Sequence, residues 1–325
     1  MDTISIVVPC YNEQEVLKSF YEEITKVASE MTSVNWEIIL IDDGSTDETL
    51  SIIKSYSNID KRVKYISFSR NFGKEAAIYA GLKSTIGEYI VIIDSDLQHP
   101  PQLIKDMYYG ITKEGYDSVA AYRRDRNGES KIREIFSKIF FKLASKITKL
   151  EFRVGEEDYR MMNRKFLNAV LLMNETNRFT KGIFQWVGFN VKWISHENSN
   201  RTAGKSKWSL FKLFLYSIDG IIGFSSVPLI ILSFLGGVLC LIGMMLGILL
   251  AIRELIGGIY VSTRLILIVI ALILSGTQLL MFGLLGEYLR KSYLEIKKRP
   301  LYIVKEEKIL EYKEKEVYEE VKIKV

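Results

Sequence analysis

The chain has 325 residues, 48% of them hydrophobic and 26% charged, with a net charge of +5. That length suits about two domains at ~150 residues each. Two uncharged runs, Gly220–Ile252 and Leu265–Gly286, exceed the ~18 residues that mark a membrane-crossing candidate, which argues against both a wholly soluble protein and a transporter of many spans.

In chain order, Ile4–Val8, Trp36–Ile41, Val63–Phe68, Tyr89–Ile93 and Asp117–Tyr122 read as short apolar strands, with helical stretches between them. This is a βαβα pattern and predicts an α/β domain with a buried, mostly parallel sheet. Ser45-Thr46-Asp47-Glu48 has the form of a capping box and should start one of the helices. Polar residues gather just after the strand ends, the edge on which open α/β sheets bind ligands. The start, MDTISIVVPCYNE, has no basic n-region and no long apolar run, so no signal peptide is expected. Cys10 and Cys240 are poor disulfide partners, one beside a core strand and the other inside the first apolar run.

Residues 129–150 set Ile132, Ile135, Phe136, Ile139, Phe140, Leu143 and Ile147 among lysines and Arg133. This basic amphipathic pattern predicts a helix in the membrane interface, as does 205–216 with Trp208 and Phe211. Two spans follow, at about 227–252 and 265–287 within 220–289, joined by the loop Arg253–Arg264. Arg290, Lys291, Lys297, Lys298 and Arg299 crowd the exit, so the positive-inside rule predicts that the 1–215 domain and the 290–325 tail are cytoplasmic. From Lys305 the tail alternates Lys and Glu, which suggests a solvated helix or disorder without chemistry. The basic excess suits anionic lipid rather than nucleic acid.

Asp94-Ser95-Asp96 places two carboxylates at a strand end, on the same side of an extended segment. Solvated turn acids would give the same pattern. The alternative is a hard divalent cation held partly by these oxygens and partly by a substrate diphosphate. Asp42-Asp43 forms a second acidic pair, able to accept hydrogen bonds from a base or ribose. Ser69–Glu75 sets Arg70, Gly73 and Lys74 at a strand-to-helix junction, which suits a diphosphate. Arg123, Arg124 and Arg126 cluster after the fifth strand, and Arg133 and Ser137 share a helix face. Asp158-Tyr159-Arg160 follows a Gly-Glu-Glu loop and says little alone; Arg201–Lys207 has the look of a basic lid. His99 and His196 lie far apart and have no ligand spacing. No GxxxxGK[ST], GxGxxG or GxSxG follows a strand, which argues against P-loop, dinucleotide and acyl-transfer enzymes.

Taken in order, VVPCYNE, IDDGSTDET, SFSRNFGKEAAIYAGL, IIDSDLQHPPQ, EEDYRMMNR and RTAGKSKW followed by two spans resemble family 2 glycosyltransferases of the polyprenyl-phosphate type. The likeness covers residues 3–290 and is similar to both bactoprenol glucosyltransferases and dolichyl-phosphate mannose synthases. It implies a GT-A fold, Rossmann-like, binding a nucleoside-diphosphate sugar and Mg²⁺ or Mn²⁺. By this resemblance Pro9, Tyr11, Glu13, Asp42 and Asp43 hold the nucleoside, with Lys74 and Arg201 near the diphosphate. Asp94, Asp96 and Gln98 contact the metal, and Arg123, Arg133 and Ser137 meet the acceptor phosphate. Asp158 matches the base position, and Asp158 and Asp96 are the expected catalytic pair. Processive synthases carry Q-x-x-R-W; Phe184-Gln185-Trp186-Val187-Gly188 lacks it, which disfavours a polymerising enzyme.

The implied reaction moves a sugar, glucose from UDP-glucose in first place, onto undecaprenyl or polyprenyl phosphate with inversion. A phosphate monoester with a second pKa of about 6 is mostly a dianion at neutral pH and needs positioning more than deprotonation. Asp158 is therefore expected to orient substrate as much as to act as a base. Mannosyl or aminopentose transfer, a silent membrane scaffold of the same fold, and a membrane-bound nucleotidyltransferase or hydrolase are the alternatives. Homo-oligomers are compatible with this layout.

Overall fold

The computed structural model describes residues 1–123, 145–148, 150, 153, 155–196, 225–256 and 263–309. They fall into two compact units, one built on a sheet and one on two long helices.

The sheet has eight strands: β1 (Thr3–Cys10), β2 (Asn35–Asp42), β3 (Val63–Phe68), β4 (Tyr89–Ile92), β5 (Ser118–Arg123), β6 (Glu156–Asn163), β7 (Val191–His196) and β8 (Val304–Lys308). Their order across the sheet is β7-β5-β6-β4-β1-β2-β3-β8. β1 pairs in parallel with β2 and β4, β2 with β3, and β5 with β7. Only β6 and β8 run against the rest. The C-terminal ends of six strands therefore share one edge with the start of β6.

The central strands are largely apolar on both faces because helices cover both, the buried Ser5, Glu37 and Lys64 satisfying one another. Ile4, Ile6, Val7, Val8, Ile39 and Ile41 are all buried. On one face lies α1 (Leu17–Glu30), whose Leu17, Phe20, Ile24, Val27 and Ala28 make a stripe at helical spacing. On this side Phe20, Val8, Leu40 and Tyr159 belong to one core cluster. α3 (Lys74–Lys83) packs on β1 and β2 through small residues. A Cβ at Gly81 would run into Val7 and Ile41, so this close helix–sheet approach requires glycine. The remaining helices of this unit are α2 (Thr49–Ile59), α4 (Leu103–Thr112), α5 (Arg164–Leu172) and α6 (Thr180–Trp186).

Three expectations change here. The Ser45–Glu48 segment does not form a capping box: the Ser45 hydroxyl accepts from the Asn12 backbone amide at 3.0 Å, while Asp47 accepts from the amide of Thr49, where α2 starts, at 3.0 Å. A tertiary partner outcompeted the local one. The Glu-Glu before Asp158 is not a loop, because β6 begins at Glu156. The charged tail is neither helix nor solvated coil at its start. Val304–Lys308 forms β8 on the free edge of β3, and Tyr302 stacks on Phe68 at 4.8 Å between ring centroids. Edge pairing is made by backbone groups and needs no apolar side chains. Residues 310–325 lie outside the described residues.

The second unit holds α7 (Val227–Ile256) and α8 (Thr263–Lys297). Phe234, Met245, Leu279 and Leu280 are each about two-thirds exposed or more, an apolar surface that water would not favour. The helices touch where Gly236 meets Met281, and the Tyr288 hydroxyl donates to the Ser225 carbonyl at 2.6 Å. Among the described residues, one stretch, Val227–Leu249, is long and apolar enough to cross a membrane, with mean hydropathy 2.6. The second expected span is a continuous helix but does not meet that measure among the described residues.

Candidate functional site

The common strand edge collects most of the residues singled out by sequence. Asp42 ends β2 and lies opposite Cys10 of β1, with Pro9 opposite Ile41. Asp42 accepts from the Ser67 hydroxyl at 2.8 Å and the Ser45 amide at 3.0 Å. Asp43 accepts from the amides of Phe72 at 2.7 Å and Gly73 at 2.9 Å, which fixes the loop between β3 and α3. Burial pushes the Asp43 carboxyl up despite those two amides. Gly44 has φ +67, and a Cβ there would strike the backbone of Arg70 and Asn71, so the Asp-Asp-Gly turn can pass under this loop. The Glu13 amide donates to the Thr49 hydroxyl at 2.8 Å, and Tyr11 is partly exposed beside it.

At the middle of the edge, Lys74 at the start of α3 places its ammonium 2.8 Å from both Asp94, just after β4, and Asp158 of β6. Desolvation works to lower the lysine, but Asp158 and Asp94 outweigh it and hold Lys74 well above its ordinary value. For Asp158, burial raises the carboxyl and the two lysines, Lys74 and Lys181, outweigh that, leaving it far below the carboxylate range. Asp158 is therefore an anion at any physiological pH. Lys181, on α6, sits 3.8 Å from Asp158 and donates to the Glu156 carbonyl at 2.9 Å. Sequence reasoning missed Lys181, because Thr180-Lys181-Gly182 carries no motif.

The Asp94–Gln98 turn is tight: Asp96 accepts from the Gln98 amide at 3.1 Å, and Leu97 has φ 57, a strained position for a branched side chain. Among the described residues, no group of three or more His, Cys, Asp or Glu is arranged to hold a metal. Asp94 and Asp96 nevertheless supply hard oxygen donors, and Asp94 already holds a cation, the Lys74 ammonium. That donor set fits a hard divalent ion whose remaining ligands come from substrate.

On the other face of β6, Glu157 gathers residues that sequence placed apart. Its Oε2 lies 2.6 Å from His196 Nε2 and 3.2 Å from His99 Nε2; its Oε1 accepts from Arg123 through Nε at 3.1 Å and Nη2 at 3.0 Å. Burial raises the Glu157 carboxyl, and bonds from His196 and His99 outweigh it, so it titrates well below the usual range. The two histidines of the chain, expected to be unrelated, thus share one carboxylate. Topology explains this: β7 ends on the edge that the turn after β4 also reaches. Nearby, Arg160 is fully buried against Glu156 and the face of Phe184. Arg133, Ser137 and Arg201, and with them the expected amphipathic helices apart from residues 145–148 and 150, lie outside the described residues.

A mostly parallel α/β sheet whose strand ends carry paired acids and interposed lysines is a GT-A-like fold with a polar ligand edge. Residues 5–171 match the description "Glycosyl transferase family 2". The chain belongs to this family, and it is a glycosyltransferase. CsbB of Bacillus subtilis (strain 168) is 42% identical over 306 residues, covering 94% of this chain and 92% of that protein. The prophage bactoprenol glucosyl transferase homolog of Escherichia coli (strain K12) is 38% identical, covering 93% and 98%. The bactoprenol glucosyl transferase of Shigella phage SfV is 38% identical, covering 94% and 99%. Among solved structures, mannosyl-3-phosphoglycerate synthase from Rubrobacter xylanophilus superposes with a TM-score of 0.50, covering 67% and 71% of the two chains at 20% identity, a likeness of fold alone.

Proposed function

We propose that this chain transfers glucose from UDP-glucose to undecaprenyl or another polyprenyl phosphate, giving a β-linked lipid-phosphate sugar. The observation that carries this reading is the 38% identity to bactoprenol glucosyl transferases along nearly the whole of both chains, helices included. The edge chemistry supports it. Pro9, Tyr11, Glu13, Asp42 and Asp43 line the part of the edge suited to a nucleoside. Asp94, Asp96 and Gln98 would hold Mg²⁺ or Mn²⁺ together with the diphosphate, and the ion would offset the charge of the leaving group. Lys74, and by resemblance Arg201, add positive charge there.

In the reaction, an oxygen of the acceptor phosphate forms a bond to the anomeric carbon as the bond to the diphosphate breaks. The electron pair leaves with the nucleoside diphosphate, and the anomeric centre inverts. No proton of high pKa has to move, because the acceptor is a dianion. Asp158, held ionised by Lys74 and Lys181, then positions substrate rather than acting only as a base. Arg123, Arg133 and Ser137 are assigned to the acceptor phosphate.

Connectivity supports membrane anchoring by two spans. β3 and β8 pair in one sheet, so the chain between them must cross a bilayer an even number of times. If Val227–Leu249 crosses, α8 supplies the return; its 35 residues extend about 52 Å, more than the ~30 Å hydrocarbon core. The basic cluster at the C-terminal end of α8 would then keep the sheet in the cytoplasm.

The test is a label-transfer assay on detergent-solubilised protein with undecaprenyl phosphate, Mn²⁺ or Mg²⁺, and a panel of UDP- and GDP-sugars. Label in the organic phase from UDP-glucose, abolished by EDTA, is expected. Organic label from GDP-mannose or an aminopentose donor instead would reassign the sugar, and label released only as free sugar would sink the transferase reading.

A further inference from the structure

We propose that Glu157 is a positioning residue that holds Arg123 in place for the acceptor phosphate, and that His99 and His196 serve to fix Glu157. The inference rests on the acceptor reading above, and it assigns a role to three residues that the reading leaves idle.

A carboxylate oxygen only accepts, so each imidazole must present its Nε2–H to Oε2. Both rings are buried, and His99 also stacks on Tyr159 at 5.3 Å between centroids, which gives its ring little freedom. With Oε2 committed to two rings, the plane of the carboxylate is set and Oε1 is aimed at Arg123. Arg123 is the last residue of β5 and uses its Nε and Nη2 on Oε1, leaving Nη1 as the arm of the fork not committed to Glu157. Long arginines lose much of their rotamer freedom when one edge is bound, so a phosphate meets a group already ordered. The Asp94–Gln98 turn does not depend on this cluster in the same way. The chain just beyond it is also tied down by the Tyr159 hydroxyl, which donates to the Pro100 carbonyl at 3.0 Å. Removing the charge of Glu157 should therefore reach the acceptor side and spare the donor side.

The experiment compares full-length, detergent-solubilised wild type with Glu157→Gln, His196→Gln and His196→Leu. It reads four quantities: kcat, KM and Kd for undecaprenyl phosphate, Kd for UDP with Mn²⁺, and the thermal midpoint. Glu157→Gln should raise acceptor KM and Kd about tenfold, with kcat within about threefold and UDP Kd within about twofold of wild type. His196→Gln keeps a donor within reach of Oε2 and should behave nearly as wild type, whereas His196→Leu should show part of the acceptor loss. An unchanged acceptor Kd in Glu157→Gln overturns the proposal. So does a parallel rise in UDP Kd with a lowered midpoint, because the cluster would then only hold the fold. Should wild type bind the lipid phosphate but transfer no sugar, the proposed reaction fails, and the acceptor Kd of Glu157→Gln still decides the role of Glu157.

Discussion

Glu157 and Asp158 are adjacent in sequence and project from opposite faces of β6, and both titrate far below an ordinary carboxyl. Their partners differ. Asp158 is held by Lys74 and Lys181, flexible cations that a phosphate or diphosphate could draw away. Glu157 is held by two buried imidazoles and a guanidinium, whose planar shapes fix direction as well as charge. One carboxylate is met by point charges on long side chains; the other is met by planar groups that fix its direction. The same lowered pKa thus marks two settings, one with mobile point charges and one with planar partners.

The sharpest way to break this comparison is on the reactive face. Asp96→Ala should lower kcat at least about 1,000-fold, because it removes a proposed metal contact. Asp158→Asn, assayed in parallel at pH 7.5, should keep measurable turnover, losing about 10- to 100-fold, because the acceptor is already ionised. A loss in Asp158→Asn as complete as in Asp96→Ala would make Asp158 an obligatory base. Next in size, Lys181→Met should lower kcat/KM about tenfold while leaving the thermal midpoint in place. Equal activity would show that Lys74 alone compensates Asp158.

The locked face is tested by acid. Because the folded-state pKa of Glu157 is depressed, its contribution to stability is complete above the unfolded value of about 4.3 and is lost as pH falls through the folded value. The gap in thermal midpoint between wild type and Glu157→Gln should therefore be present at pH 5 and narrow as the pH falls below about 4.3. A gap that keeps growing below that pH would contradict the assignment. The smallest effect is expected at Tyr302→Ala, which removes the stack on Phe68 and should cost about 1–2 kcal/mol, seen as a midpoint lower by a few degrees with kcat little changed.

Much of the sheet was legible because β1 to β4 are apolar runs, three of them interrupted at Pro9, Asp42 or Asp94 where the ligand edge begins. β6 was not, since Glu156-Glu157-Asp158 reads as a solvated turn until the partners that bury it are known. The acidic pairs and Lys74 were visible as strand-end chemistry. The histidine pair and Lys181 were not, because each depends on which strand ends and helix starts the topology brings to one edge. β8 escaped for a different reason: four of its five side chains are charged, and its pairing is made by the backbone.

That last strand also sets a schedule for biosynthesis. β3 is complete once residue 68 has been made, but the strand that covers its edge ends at residue 308, after both long helices. At ~5–20 residues per second, translation leaves that edge bare for about 12–48 s. During that interval the nascent sheet presents an open row of amides and carbonyls beside the ribosome. The sheet edge therefore cannot close before both long helices have been synthesised.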